Sequence, residues 1–325
     1  MTAMDIAGAL EPVQALSRHL QGGLIGHRDL CERLLLALLT GGHVLIEGPP
    51  GLAKTRAVKR LAAGLAGGFA RVQCTPDLMP SDIGGTQVWH PERGEFSFRE
   101  GPLFHNLVLV DEINRAPPKV QSALLEAMAE GQVTSGGVSR ALPDPFMVVA
   151  TQNGIEHEGT YPLPEAQLDR FLFHVDLALP GLVEERAILD LVEGEISGGS
   201  GAGAPFAPLD LSAMIQARRA VATIHLAPAL RDWITRLVVA TREREGGPLH
   251  EMVEHAVSPR GSLALAAGAR ARAALHGRDH ALPEDVEAIA PDVLSHRLVP
   301  SWQAGAQGLG GRVLVARLLA HVRPW

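Results

Sequence analysis

Aromatic side chains are scarce in this chain: they make up 4% of its 325 residues, while hydrophobic residues of all kinds reach 46%. A sizeable core is available, but it must be built from Leu, Val, Ile and Ala. Lysine is rarer still. Lys54, Lys59 and Lys119 are the whole complement, every other basic side chain apart from histidine being arginine. There is no basic excess either. The formal charge of −7 argues against a broad nucleic-acid surface and leaves room only for a small basic channel. The two cysteines, Cys31 and Cys74, sit in apolar surroundings without C-x-x-C spacing, as buried thiols of a reducing compartment do. No apolar stretch reaches membrane-spanning length before Gly, Pro or charge interrupts it, and no basic-then-apolar segment suggests a signal peptide. A soluble, cytoplasmic protein is expected, long enough for two domains.

One stretch organises the rest. Residues 48–55 read Gly48-Pro49-Pro50-Gly51-Leu52-Ala53-Lys54-Thr55, preceded by the apolar run Val44-Leu45-Ile46 and followed by a helical pattern over 56–65. Strand, glycine-rich turn and helix in that order make a phosphate cradle. The turn's N–H groups converge, and the helix presents its positive dipole end to an anion. Lys54 is placed to reach the terminal phosphates as a point charge, and the Thr55 hydroxyl to ligate Mg²⁺. Glycine usually precedes the lysine; here Ala53 does, and it is expected to keep the loop intact in a helical conformation.

Apolar runs place further strands at 69–75, 107–110, 146–151 and 171–177, with helical patterns between them, which indicates a parallel α/β sheet. Helices are expected over 1–20 and 28–39, the second with Leu30, Leu34, Leu35 and Leu38 along one face. Two hairpins interrupt the alternation, at 84–102 and at 133–142. The Gly- and Ala-rich run 194–208 reads as a flexible linker or a long mobile loop. It divides a nucleotide-binding core, 1–193, from a domain, 209–325, that is helical in pattern throughout.

The third strand delivers Asp111 and Glu112 at its carboxyl end. Asp111 would hold Mg²⁺ directly or through water, and Glu112 would orient and deprotonate the attacking water. Asn153 follows the fourth strand, at the edge where ligands sit in open α/β folds. Its carboxamide both donates and accepts, so it can bridge the γ-phosphate and the water. Arg170 ends a short helix opened by Pro164-Glu165 and can neutralise charge on a transferring phosphoryl group. Arg260, behind the helix start Ser258-Pro259, is a candidate for reading the γ-phosphate from the lid side.

Together these residues resemble the AAA+ ATPases, and more narrowly the MoxR family. The narrow resemblance rests on residues 48–55, DEINRAPPK at 111–119, QSALLEAM at 121–128, ATQN at 150–153 and EGTYPLPEAQLDRF at 158–171. It runs from about residue 25 to the end of the chain and is densest over 48–176. The resemblance implies a P-loop AAA+ core with a parallel five-stranded sheet, a C-terminal all-helical lid, and ATP and Mg²⁺ as ligands. It assigns Lys54 and Thr55 to Walker A, Asp111 and Glu112 to Walker B, Asn153 to sensor 1, Arg170 to the arginine finger and Arg260 to sensor 2. The hairpins look like the helix-2 insert and the pre-sensor-1 hairpin. Ile25 and Gly26 match the segment that lies against the base, with His27 where glutamine is usual. Gly154 stands where a proline is common, and Ala53 is itself a family trait.

An arginine finger must reach a phosphate on a neighbouring subunit, so the resemblance implies a ring, usually a hexamer. Arg115 could contribute to that interface. The implied activity is Mg²⁺-dependent ATP hydrolysis coupled to chaperone-like remodelling or activation of client proteins. Such clients include metalloenzyme complexes and proteins with von Willebrand factor A-type domains. Alternatives are a metal-chelatase-type motor subunit and a nucleotide-gated scaffold with incidental hydrolysis. Two signals are set aside. His250 and His255 lie in a run similar to a zinc-protease helix, but five residues turn roughly 140° around a helix, so the rings diverge. His157-Glu158 belongs to the loop after Asn153. No Asn-Lys-x-Asp sequence is present to read guanine, which favours ATP over GTP.

Overall fold

The computed structural model describes residues 3–154, 159–196, 206–243 and 246–325. His157, Glu158 and most of the expected linker lie outside the described residues. Five strands form the central sheet: β1 (Val44–Glu47), β2 (Phe69–Gln73), β3 (Leu107–Asp111), β4 (Met147–Gln152) and β5 (Phe173–Asp176). They run parallel in the order β2-β3-β4-β1-β5. β3 is buried along its whole length and β4 in all but its last residue, as continuous apolar runs in a covered parallel sheet must be. The order sets β1 beside β4, so the phosphate loop leaves the sheet next to Asn153.

Among the described residues, ten longer helices flank it or build the lid: α1 (Ala3–Gln21), α2 (Arg28–Thr40), α3 (Lys54–Ala63), α4 (Pro118–Glu130), α5 (Leu182–Ile196), α6 (Leu211–Ala222), α7 (Pro228–Ala240), α8 (Pro259–Leu275), α9 (Pro283–Leu294) and α10 (Gly311–His321). α2 is more than the one-faced helix its leucine spacing predicts. Arg33, Leu36, Ala37 and Leu39 are buried along with the stripe, because α2 lies between the sheet and the lid helices α6 and α8. Each fully buried leucine contributes about 2 kcal/mol. Arg33 is admitted to this interior by Asp292, whose Oδ2 accepts from Nε at 2.7 Å. One apolar cluster therefore runs from α1 and α2 through β1 and β5 into the lid, and a second fills the sheet's other side against α4. The lid is packed along β5 and shares the core of the nucleotide-binding part.

The lid is not wholly helical: Val253–His255 pairs antiparallel with Val299–Pro300. His250 to His255 is thus turn and strand, which removes the zinc-helix reading at the level of the backbone. α5 has no counterpart in the sequence reading and takes in residues 194–196 of the expected linker. Both hairpins form, as Gly85–His90 with Glu95–Glu100 and Gln132–Ser135 with Val138–Ala141. Cys31 and Cys74 are buried free thiols, and burial pushes them up to about 11 and about 12. No helix among the described residues is long and apolar enough to cross a membrane.

His43, just before β1, fastens three elements. Its Nδ1 accepts from the Val148 N–H at 3.0 Å, its Nε2 faces the Met128 carbonyl at 3.2 Å, and its own carbonyl accepts from the Leu172 N–H. These partners require a neutral ring with the proton on Nε2, and burial pushes its pKa down to about 4. The unfolded chain takes up this proton near pH 6.5, so the contribution is complete above that value and is lost as pH falls towards 4. Urea unfolding is expected to show about 3 kcal/mol lost to this residue between pH 7 and 4. His43→Gln, less stable at pH 7, should lose that much less over the same range; an unchanged pH dependence would sink the assignment.

Candidate active site

The phosphate loop is built on left-handed backbone. Gly51 (φ +87°) and Ala53 (φ +53°) precede the right-handed turn of α3, which begins at Lys54. Left-handed residues leading into a right-handed helix aim successive N–H groups at one anion. Ala53 is therefore not helical, contrary to the sequence reading. An L-residue held there costs about 1–2 kcal/mol, and the loop stores that strain. A Cβ on Gly51 would meet no atom within 4 Å, so the loop is open on that side. The Lys54 ammonium turns back beneath it. It donates to the Gly48 carbonyl at 2.7 Å, the Gln152 carbonyl at 3.1 Å and Asn153 Oδ1 at 2.9 Å. One buried charge ties the loop to the end of β4.

At the end of β3, Asp111 is only 5% exposed. Its Oδ1 accepts from the Thr151 hydroxyl at 3.1 Å and its Oδ2 from Arg71 Nε at 2.7 Å. The Thr55 hydroxyl lies 3.5 Å from the same Oδ2. Thr151 in turn accepts from the Glu112 N–H at 3.1 Å. Glu112 is left-handed (φ +58°), and its carboxylate pairs with Arg115 at 3.1 Å. Arg115, a residue that could contribute to a subunit interface, is paired with Glu112 within its own chain. The sequence reading missed Arg71 and Thr151. The one available signal was a charged residue inside strand β2, which means little until β2 is known to lie beside β3.

Glu47 closes β1. Its carboxylate accepts from Gln152 Nε2 at 2.7 Å and pairs with His174 Nε2 at 2.8 Å, a hydrogen bond that holds it below the usual carboxylate range. His174 lies 3.5 Å from Asp176, which pairs with Arg312 of α10. Glu47, His174 and Asp176 bring three potential metal-ligand atoms within 4.8 Å of one another, but protein partners already engage them. A Cβ at residue 154 would come within 2.6 Å of Glu47 Oε1, so a larger residue there requires that carboxylate to move.

Ile25 lines a cavity of about 270 Å³ between His27, the loop residues Pro50 to Ala53, and Ile188 and Leu191 of α5. Gly26 (φ +76°) borders an adjoining cavity of about 450 Å³. Burial lowers the His27 pKa, with Glu184 opposing, which favours a neutral ring there. The result is a largely apolar slot beside the cradle.

Arg170 and Arg260 are elsewhere. The Leu172 N–H bonds to the His43 carbonyl, so the turn after the short helix Glu165–Leu168 lies at the amino edge of the sheet. The four residues of β1, about 13 Å at 3.3 Å each, separate that edge from the phosphate loop. Arg170 Nη1 donates there to the Leu125 carbonyl at 2.9 Å. Asp169 gathers the Ser258 hydroxyl at 3.1 Å, Arg260 at 3.3 Å and the buried Arg297 at 2.8 Å. A lid-side approach of Arg260 to its own phosphate loop is therefore corrected. Because the lid packs along β5, the start of α8 lands beside Arg170.

A phosphate loop after β1, paired acidic residues at the end of β3, one strand removed across β4, and a helical lid define an AAA+ ATPase. The family model described as "ATPase family associated with various cellular activities (AAA)" matches residues 43–173, and the AAA lid domain matches 249–311. The chain belongs to the MoxR family. It is 44% identical to Chaperone MoxR1 of Mycobacterium tuberculosis over 92% of this chain and 78% of that one. It is 33% identical to Protein MoxR of Paracoccus denitrificans, over 89% and 90%. A crystal structure from Cytophaga hutchinsonii carrying an ATPase designation superposes with a TM-score of 0.87 at 35% identity, over 98% and 97% of the two chains.

Since Ala53 is strained where glycine would not be, Ala53→Gly is expected to stabilise the nucleotide-free protein by roughly 0.5–1 kcal/mol. A lowered midpoint in thermal or urea unfolding would contradict that strain.

Proposed function

We propose that this protein is a Mg²⁺-dependent ATPase whose sites are completed between neighbouring subunits of a ring, and that it uses the cycle to remodel or activate client proteins. One observation carries this reading. Lys54, Thr55, Asp111, Glu112 and Asn153 share the carboxyl edge of the sheet, while Arg170 and Arg260 share the amino edge. A single chain has the cradle but holds these two arginines away from it. Two copies supply what one lacks.

The residues fit a magnesium nucleotide: a concave set of N–H groups, one lysine, and the oxygens of Thr55 and Asp111, the donors that a hard cation prefers. Mg²⁺, held by Thr55 and Asp111, would neutralise charge on the phosphate oxygens. Residues 48–55 grip the phosphates, with Lys54 exchanging its present carbonyl partners for phosphate oxygens, and Ile25 and Gly26 flank the base. Glu112 takes a proton from the water that Asn153 orients. The neighbour's Arg170, with Arg260 beside it, meets the charge that develops.

The client half of the proposal is supported by the chaperone designation of the mycobacterial relative and by the first hairpin. That hairpin exposes the tilted aromatic pair Trp89 and Phe96, their ring centroids 4.8 Å apart, and its Gln87 abuts the second hairpin at Gly136. Hexameric assembly, clients with von Willebrand factor A-type domains and a cytoplasmic location belong to the same proposal.

Lys54→Ala and Arg170→Ala are each expected to lower phosphate release by roughly 10³-fold or more. Mixed in equal amounts they should recover measurable hydrolysis, because some sites then pair an intact Lys54 with an intact Arg170. Variants that assemble together but stay inactive would defeat the shared site. Glu112→Gln should keep ATP binding while phosphate release disappears; release at the wild-type rate would remove Glu112 from the chemistry.

A further inference from the structure

We propose that Arg71 is a resident counter-ion of the metal site: its guanidinium holds the place on Asp111 that Mg²⁺ must take, and the metal enters by displacing it. This inference rests on the nucleotide site proposed above. Arg71 Nε bonds Asp111 Oδ2 at 2.7 Å, and that oxygen is the one the Thr55 hydroxyl approaches at 3.5 Å. Oδ1 is already engaged by Thr151. The guanidinium therefore sits on the carboxylate atom that faces the other expected metal ligand.

The electrostatics explain why such a group is needed. A carboxylate as buried as Asp111 is costly as an anion without a counter-charge, and leaving one unpaired destabilises a fold strongly. Arginine remains protonated at any pH the protein meets, so it supplies that charge in every nucleotide-free molecule. Mg²⁺ supplies it once bound. Two cations at contact distance on one oxygen repel each other, so occupancy by one opposes the other. Arg71 also has somewhere to go. It stands on β2, at the edge of the sheet, its side chain is 46% exposed, and its Nη2 is held by Gln73 Oε1 at 3.0 Å. The exchange keeps a counter-charge beside Asp111 throughout and sets the Mg²⁺ requirement higher than an unopposed site would.

The test is calorimetric titration of ADP across a Mg²⁺ series, with wild type and Arg71→Gln. With each protein referred to its own ADP affinity in EDTA, the Mg²⁺ concentration for half-maximal tightening should fall at least threefold in the variant. A half-saturating concentration that stays the same or rises overturns the proposal; a rise would make Arg71 a support of the loaded site. Should Arg71→Gln fail to fold, the wild-type structure with Mg²⁺ and ADP decides. Separation of Arg71 Nε from Asp111 Oδ2 beyond hydrogen-bond distance supports displacement, and a retained 2.7 Å contact overturns it. If wild type binds no ADP at all, the nucleotide-site reading falls and takes this inference with it.

Discussion

A carboxylate buried at the end of a wholly apolar strand must be compensated, and the carboxyl edge of this protein is arranged around that requirement. β3 carries Asp111 out of an interior of Leu107, Val108, Leu109 and Val110, and leaves it 5% exposed. Arg71 from β2, Thr151 from β4 and Thr55 from α3 converge on its two oxygens, so three elements meet at one charge. Thr151 then accepts a hydrogen bond from the Glu112 N–H at the left-handed turn. The second buried charge, Lys54, closes the arrangement from the loop side by joining Gly48 to Asn153. Both charges are compensated by protein partners: Lys54 bonds backbone and amide oxygens, and Asp111 bonds a cation.

The amino edge follows a different logic. The lid shares its core with α1, α2 and β5: α9 packs on β5, and the start of α8 is tied to Asp169 just ahead of β5. Asp169 is the joint. It fixes the lid through Ser258, Arg260 and Arg297 at the foot of the turn that carries Arg170. Arg170 and Arg260 are thereby held a full strand length from the cradle of the same chain. Glu47, His174, Asp176 and Arg312 form a further polar connection from the end of β1 to α10 at the carboxyl edge. The lid thus touches both ends of the sheet.

Much of this was readable in the order of residues. Alternating apolar runs and helical periods implied the parallel sheet, because a strand covered on both faces cannot afford polar positions. The loop at 48–55, Asp111-Glu112 and Asn153 announced themselves because each must sit at the carboxyl end of a strand, and strand ends are local features. The hairpins were visible for the same reason: turn chemistry at Gly136-Gly137 and Pro91 to Gly94 is short-range.

What stayed hidden depended on which segments become neighbours. Arg71 acquires a role only when β2 pairs with β3, and α2 is buried on all sides only when the lid packs on it. Arg260 changed edges because lid placement is decided by a shared core and not by its own helix start. At the phosphate loop, residues 48–55 determined the cradle and its lysine. Only the tertiary structure decided that Ala53 is forced left-handed, since the loop must turn between β1 and α3 while Lys54 bonds across to Asn153.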